Sequence, residues 1–156
     1  MTRKDKAIEL FMQGANCAQA VLVAFSDLCG LEEKQAWRIA APFGGGLSRQ
    51  REVCGAVSGM CMAAGLLYGY EQDCSDLEKG AHYRLIQELC GRFRQQLGSI
   101  VCRELLGAKK ATTHPEPDAR TAEYYRTRPC ARLVGLAAEI LEDYIEGQGK
   151  QGLSAQ

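Results

Sequence analysis

The sequence predicts an all-α protein, a single-domain helical bundle of five to seven helices. Apolar residues recur at spacings of three and four, glycines and prolines end the apolar segments, and no segment alternates as a half-buried strand would. The chain has 156 residues, 46% of them hydrophobic, which is enough to bury one sizeable core. We expect this domain to cover residues 1–146 and a flexible tail to cover 147–156.

Seven segments carry the helical pattern. The first ends at Gly14, the third is stopped by Pro42, and a fourth, central helix is rich in glycine and alanine. A long fifth helix, a short sixth and a closing seventh follow, and a surface loop rich in Lys, Thr and Pro covers 107–117. The predicted helices lie at about 7–12, 16–28, 31–41, 51–70, 75–97, 99–106 and 128–146.

Charge and hydropathy exclude several classes of protein. Nineteen basic and nineteen acidic side chains balance, whereas proteins that bind nucleic acid usually carry a basic excess. The charged N-terminus lacks the apolar stretch of a signal peptide, which predicts a cytoplasmic protein. The longest weakly polar run, 53–68, is shorter than the roughly 20 residues that cross a bilayer, so we expect no direct membrane insertion.

The chain has eight cysteines, and in the reducing cytoplasm these indicate metal binding, redox chemistry or core packing rather than structural disulfides. Four of them lie at or near predicted helix starts. Asn16, Ser99 and Pro129 are residue types that favour three of these starts. The four are Cys17, Cys54, Cys102 and Cys130.

Position at a helix start has a chemical consequence, because the unpaired N–H groups and positive dipole end there stabilise a thiolate over a thiol. The thiolate is both the nucleophile and the metal ligand. The other cysteines lack this signal: Cys29 closes a helix, Cys61 and Cys90 lie at core positions, and Cys74 has no clear placement. The sequence assigns these four no role.

Several motifs are similar to those of one known family. They are NCAQAV at 16–21, FGGG at 43–46, CGAVSG at 54–59, CRELLG at 102–107, and Cys130 with the apolar residues that follow it. Together they resemble the C-GCAxxG-C-C family, four-cysteine proteins to which a redox role is ascribed, over about 8–145. The family name gives the central motif as Gly-Cys-Ala, whereas this chain has Cys-Gly-Ala at 54–56.

The resemblance implies that the shared cysteines are the same four that helix position selects. It also implies a redox or metal function, since a related domain of multi-centre redox proteins is thought to hold an iron–sulfur cluster through its cysteines.

Three functions remain open at this stage. Four thiolates suit an iron–sulfur cluster or tetrahedral zinc, and the resemblance favours the cluster over zinc. A metal-free alternative is a thiol–disulfide protein in which a pair such as Cys54 and Cys102 cycles between dithiol and disulfide, with no cofactor. A third is an accessory helical protein that docks on a larger partner. The expected partner is a redox or membrane-transport protein, and homo-oligomerisation stays open.

Glycines and arginines near the cysteines have two interpretations each. Gly55 and Gly59, one turn apart, favour tight helix packing, and alternatively leave room beside Cys54 for a bound cofactor. The glycines at 44–46 favour a flexible turn, and with Arg49 and Arg51 alternatively cradle an anion. The arginines around Cys130 favour a solvated face, and alternatively support a thiolate. These arginines are Arg120, Arg126, Arg128 and Arg132.

Overall fold

The computed structural model describes residues 1–154, with side chains to Gly149. The helices of this part are α1 Arg3–Met12, α2 Cys17–Ala24, α3 Glu33–Ala40, α4 Gly44–Leu47, α5 Gly55–Tyr68, α6 Asp76–Leu97, α7 Cys102–Leu106, α8 Ala122–Thr127 and α9 Cys130–Ser154, with a 3₁₀ turn at Ala41–Phe43. Six of them have eight residues or more. The prediction of an all-α bundle is confirmed, and no strand occurs among the described residues.

Helices α2 and α5 form the centre of the bundle. Six of the eight residues of α2 are buried, and α2 packs against α1, α3, α5 and α9. The first helix, α1, makes its most extensive contacts with α9. The largest fully buried side chains of the core include Phe11, Phe25 and Phe93. The apolar periodicity of the sequence therefore corresponds to faces that are buried around α2.

The long helix α6 is attached to this core along a short stretch. Only Leu89 and Phe93 of its 22 residues are buried, and Leu77 near its start is 82% exposed. A Ser75 side chain accepts a hydrogen bond from the Glu78 N–H and caps the helix. Helix α6 therefore depends on its C-terminal half for tertiary contacts.

Two helix starts are brought together by a short extended pairing. Residues 51–54, predicted to be the first turn of the central helix, are not helical, and Val53 bridges Val101 in antiparallel fashion. The Cys54 N–H donates to the Ile100 carbonyl at 2.8 Å, and the Cys102 N–H donates to the Glu52 carbonyl at 2.6 Å. Backbone pairing with a distant segment overrides local helix propensity here, and α5 and α7 begin side by side as a result.

Three other element boundaries differ from the predicted ones. Helix α2 ends at Ala24, four residues before the predicted end, and α8 was not predicted. Helix α9 continues to Ser154 beyond the predicted end at Glu146, because glycine weakens a helix by only about 1 kcal/mol and no proline stops it. Part of the predicted flexible tail lies outside the described residues. Residues 155 and 156 are not described, and of residues 150–154 only the backbone is described.

None of the helices within residues 1–154 combines the length and apolar character that a membrane span requires.

The contact between α2 and α5 depends on glycine. A Cβ atom added at Gly59 would lie 2.6 Å from the Ala18 carbonyl oxygen, whereas one added at Gly65 on the same helix would meet nothing within 4 Å. We expect Gly59→Ala to lower the free energy of unfolding by about 1–3 kcal/mol through this clash. Gly65→Ala is the matched control, and its higher helix propensity should raise stability by up to about 1 kcal/mol. Urea unfolding followed by circular dichroism measures both; equal stability of the two variants would contradict the prediction.

Candidate functional site

The structure places the four selected cysteines at helix starts, as the sequence predicted. Cys17 is the first residue of α2, Cys102 the first of α7 and Cys130 the first of α9, and Cys54 is the N-cap of α5. Three of them are buried, and Cys17 keeps partial exposure.

The capping groups are partly those expected. Asn16 and Gln19 form a reciprocal capping box, in which the Asn16 side chain accepts from the Gln19 N–H at 2.9 Å. Ser99 does not cap α7, because its hydroxyl accepts from the Val101 N–H instead and Val101 is the N-cap. Pro129 lies one residue before α9, and its carbonyl accepts from the Leu133 N–H.

All four cysteines line one pocket of about 450 Å³. Every pair among the four sulfurs is close enough for the charge of one to influence the other. The other cysteines lie outside this pocket; they are Cys29, Cys61, Cys74 and Cys90. Residues that are 113 positions apart in the chain, Cys17 and Cys130, therefore share a single site.

One wall of the pocket is a strip of left-handed backbone, residues 45–51. Gly45 and Gly46 have positive φ, and so do Leu47, Ser48, Arg49 and Arg51. A Cβ at Gly46 would lie 2.7 Å from the Cys102 Cβ. Glycine is therefore needed here for two reasons: it adopts the positive φ readily, and it leaves room for the Cys102 side chain. Left-handed conformations cost non-glycine residues of order 1–3 kcal/mol each and cluster at functional sites. The predicted flexible turn is therefore a strained, defined structure.

Arg51 extends from this strip into the pocket and is only 4% exposed. Its Nε donates to the Thr112 carbonyl at 2.9 Å, and its Nη1 lies 3.8 Å from the Cys102 sulfur. Its Nη2 is buried and has no hydrogen-bond partner within the described part of the chain. A buried cation with an unused donor is costly unless an anion compensates it. The site therefore favours negative charge beside Arg51.

Further arginines form the opposite wall. Arg120 donates to the carbonyls of Phe11 and Ala15 at 3.2 and 3.1 Å, and Arg128 pairs with Asp118 at 2.8 Å. Arg49 pairs with the same carboxylate at 3.2 Å. Four arginines and one aspartate line the pocket, which leaves an excess of three positive charges while the thiols are neutral.

The interpretation of the arginines around Cys130 as a solvated face is wrong for two of the four. Arg120 and Arg128 line the pocket, and both lie over aromatic rings. Arg126 and Arg132 are exposed. Sequence spacing could not tell the arginines that line the pocket from the exposed ones. Residues 118–129 form only the short helix α8 between irregular segments, so no helical period predicts which side chains point inward.

Cys17 and Cys130 interact most directly. Their contact raises the pKa of the Cys17 thiol, with burial adding to the rise. The same contact lowers the pKa of Cys130 to about 7, assisted by Arg128, Arg120 and Arg51. In the metal-free site Cys130 is therefore about half ionised at neutral pH, whereas Cys17 stays a thiol.

Burial dominates at the other two sulfurs. It raises the pKa of Cys54 to about 12, although the N–H groups of Val57 and Ala56 oppose the rise. It also raises the pKa of Cys102, where Arg51 opposes it. The N–H groups at the start of α5 thus lower the pKa of Cys54 as expected, but burial raises it by more.

The two glycines of the central motif have different surroundings. Gly55 lines the pocket, and a Cβ there would lie 3.1 Å from the Cys17 Cβ. Gly59 is absent from the pocket wall and contacts Ala18 and Val21 of α2. The helix-packing interpretation therefore accounts for Gly59, and only Gly55 is next to a site that a cofactor would occupy.

A preformed site for a single metal ion is not found among the described residues, since no three His, Cys, Asp or Glu side chains there are arranged around one point. Tetrahedral zinc, at about 2.3 Å from each sulfur, requires the four sulfurs to be about 3.8 Å apart.

The sequence profile of one family, described as "Putative redox-active protein (C_GCAxxG_C_C)", matches residues 15–144. The chain belongs to this family. No curated protein and no solved structure matches it. The four cysteines by which the C_GCAxxG_C_C family was suspected are those that the fold gathers in one pocket.

The pKa values predict which cysteine reacts first. In reduced, metal-free protein the alkylation rate of Cys130 should reach half its maximum near pH 7, because its pKa is about 7. The rate at Cys54 should still be rising at pH 9, because its pKa is about 12. Iodoacetamide labelling from pH 5.5 to 9, read at each cysteine by mass spectrometry, tests this.

The contribution of Cys130 to the free energy of unfolding should follow the same titration. The folded-state pKa of Cys130 lies below the ordinary value of 9.0, so its stabilising contribution is complete above pH 9 and is lost as the pH falls through 7. A Cys130 labelling profile that matches that of an ordinary thiol, still rising at pH 9, would contradict the assignment.

Proposed function

We propose that the protein is a redox protein whose four pocket cysteines hold an iron–sulfur cluster that exchanges single electrons. The observation that supports this most strongly is the gathering of four thiols from four helix starts around one cationic pocket. Membership of a family with a redox description agrees with it.

The donor set fits such a group. Iron–sulfur clusters are held by four cysteine thiolates, whereas magnesium and calcium sites use oxygen ligands. The ligands proposed are Cys17, Cys54, Cys102 and Cys130.

The charges fit as well. Four deprotonated thiols would need compensating cations, and the pocket carries an excess of three positive charges. The unused Nη2 of Arg51 supplies a hydrogen-bond donor beside Cys102. Donors and positive charge next to the ligand sulfurs raise the reduction potential of a cluster. Arg51 is therefore expected to set the potential as well as to neutralise charge.

The remaining residues give the site its orientation. Cys54, Cys102 and Cys130 are buried, and Cys17 is partly exposed as a whole residue although its thiol lies in the interior. The electron-exchange partner, in this proposal, is a second redox protein. Eight free cysteines are compatible with a reducing compartment such as the cytoplasm.

Anaerobic reconstitution with iron and sulfide tests the cluster. We expect iron, acid-labile sulfide and visible absorption in the wild-type protein, and a loss of at least about tenfold in bound iron in Cys54→Ser, because a ligand is lost. The matched control is Cys74→Ser, which lies outside the pocket and should bind iron as the wild type does. A wild type without iron or sulfide, or a Cys54→Ser variant that binds both normally, would rule the proposal out.

A second candidate is thiol–disulfide chemistry at Cys17 and Cys130, favoured by their place in one pocket and by the lowered pKa of Cys130. The Cys130 thiolate would attack a small-molecule disulfide and release one thiolate, and Cys17 would then displace the second. Both protons of the dithiol end on the released thiols. The structure thus points to Cys17 with Cys130, whereas the sequence suggested Cys54 with Cys102.

This candidate predicts a specific disulfide. Metal-free protein treated with oxidised glutathione should form a Cys17–Cys130 link, detected by peptide mapping, and Cys130→Ser should abolish it because the attacking thiolate is gone. Cys54→Ser is the control and should form the link at least half as fast as the wild type. Mixed disulfides at Cys130 that never resolve onto Cys17 would contradict a catalytic dithiol.

A further inference from the structure

A second pair of cysteines lies away from the pocket. Cys61 on α5 and Cys90 on α6 have their sulfurs 3.9 Å apart, and neither residue lines the four-cysteine pocket. Both are partly exposed, so a small oxidant can reach them. We propose that Cys61 and Cys90 form a reversible disulfide that links α5 to α6, a redox-sensitive site separate from the four-cysteine centre.

The distance supports bond formation. A disulfide brings its sulfurs to about 2.05 Å, so the two must approach by about 2 Å. Side-chain rotation supplies part of this movement. Leu89 and Phe93, buried on either side of Cys90 in the sequence, hold this part of α6 against the core and keep Cys90 next to α5. Neither cysteine has to leave its helix for the bond to form.

The two sulfurs differ in reactivity. Contact with Cys61 lowers the pKa of Cys90 to about 7, and Arg94, one turn further along α6, adds to the effect. The same contact raises the pKa of Cys61, which burial raises further. Cys90 is therefore the sulfur that attacks, and Cys61 is the resolving thiol.

The reaction balances with a small-molecule disulfide as the oxidant. The Cys90 thiolate attacks one sulfur of oxidised glutathione, the glutathione S–S bond breaks, and one glutathione thiolate leaves. Cys61 then attacks the Cys90 sulfur, and the second glutathione leaves. Two electrons and the two thiol protons pass from the protein to two molecules of glutathione, and a reducing dithiol reverses the sequence.

The consequence for the fold is a covalent tie on its most loosely attached long helix. The link closes a loop that contains the connection from α5 to α6 and the exposed first half of α6. Closing a loop of this size restricts the unfolded chain and raises Tm, by about 5–10 °C for a domain of this length. The reduced and oxidised proteins should therefore differ in thermal stability.

The test oxidises the full-length reduced chain with oxidised glutathione and maps the product. Trypsin leaves Cys54, Cys61 and Cys74 in one peptide, so cyanogen bromide is used as well, because cleavage after Met60 and Met62 isolates Cys61. We expect this fragment to be linked to the peptide that contains Cys90. A Cys90 that stays in a mixed disulfide with glutathione, or that is linked elsewhere, overturns the proposal.

Thermal unfolding gives the second measurement. The wild type should gain about 5–10 °C on oxidation and lose it again with dithiothreitol. Cys90→Ser should lack this part of the shift, whereas the control Cys74→Ser should keep it. An equal shift in wild type and Cys90→Ser overturns the proposal, since the gain then comes from other thiols.

The outcome is independent of the proposed cluster. Cys61→Ser should bind iron to the wild-type level in the reconstitution assay, because Cys61 is not a pocket residue. In the wild type, absence of the Cys61–Cys90 link together with normal iron loading would refute this proposal alone, and absence of iron together with a normal link would refute the cluster alone. Loss of iron in Cys61→Ser would show that the two sites are not separate, and would overturn the inference.

Discussion

The site depends on the meeting of several helix N-termini at one point, a concentration of positive potential that needs an anion. Each helix start contributes partial positive charge, and the arginines that line the pocket add more. Asp118 supplies one negative charge, and the cysteine sulfurs can supply more by ionising, but burial resists their ionisation. The balance of these two effects gives each of the four cysteines a different proton affinity.

Two pieces of irregular backbone make this meeting possible. The extended pairing around Val53 and Val101 sets the starts of α5 and α7 side by side. The left-handed strip then turns Arg51 back into the pocket and lets Gly46 lie against Cys102. Regular helices alone would present the cysteines, but they would not supply the buried cation between them.

Arg49 and Arg51 also connect the pocket to the loop that covers it. Arg49 donates to the His114 carbonyl at 2.6 Å, and Arg51 donates to the Thr112 carbonyl. The segment 107–121 has no regular secondary structure in this protein, so these bonds hold it in place. The same guanidinium groups thus serve both the loop and the charge balance of the sulfurs.

Much of this arrangement was accessible from the sequence, because it follows from local rules. Helical periodicity predicted the fold class, and capping residues such as Asn16 placed cysteines at helix starts. The rest depends on contacts that are distant in the chain. The pairing of 51–54 with 100–102 is invisible to local propensity, and so is the burial of Arg51. Nor does the sequence show that Cys61 and Cys90 are neighbours, since tertiary contacts decide which faces of α5 and α6 meet.

The order of the cysteines along the chain has a consequence for biosynthesis. During translation Cys17, Cys54 and Cys102 leave the ribosome before Cys130, and α1 leaves well before α9, which provides its main contacts. The pocket is therefore incomplete in every nascent chain that stops short of α9. A pocket with all four cysteines therefore forms only after the start of α9 has left the ribosome, and until then the first three cysteines remain open to other reactions.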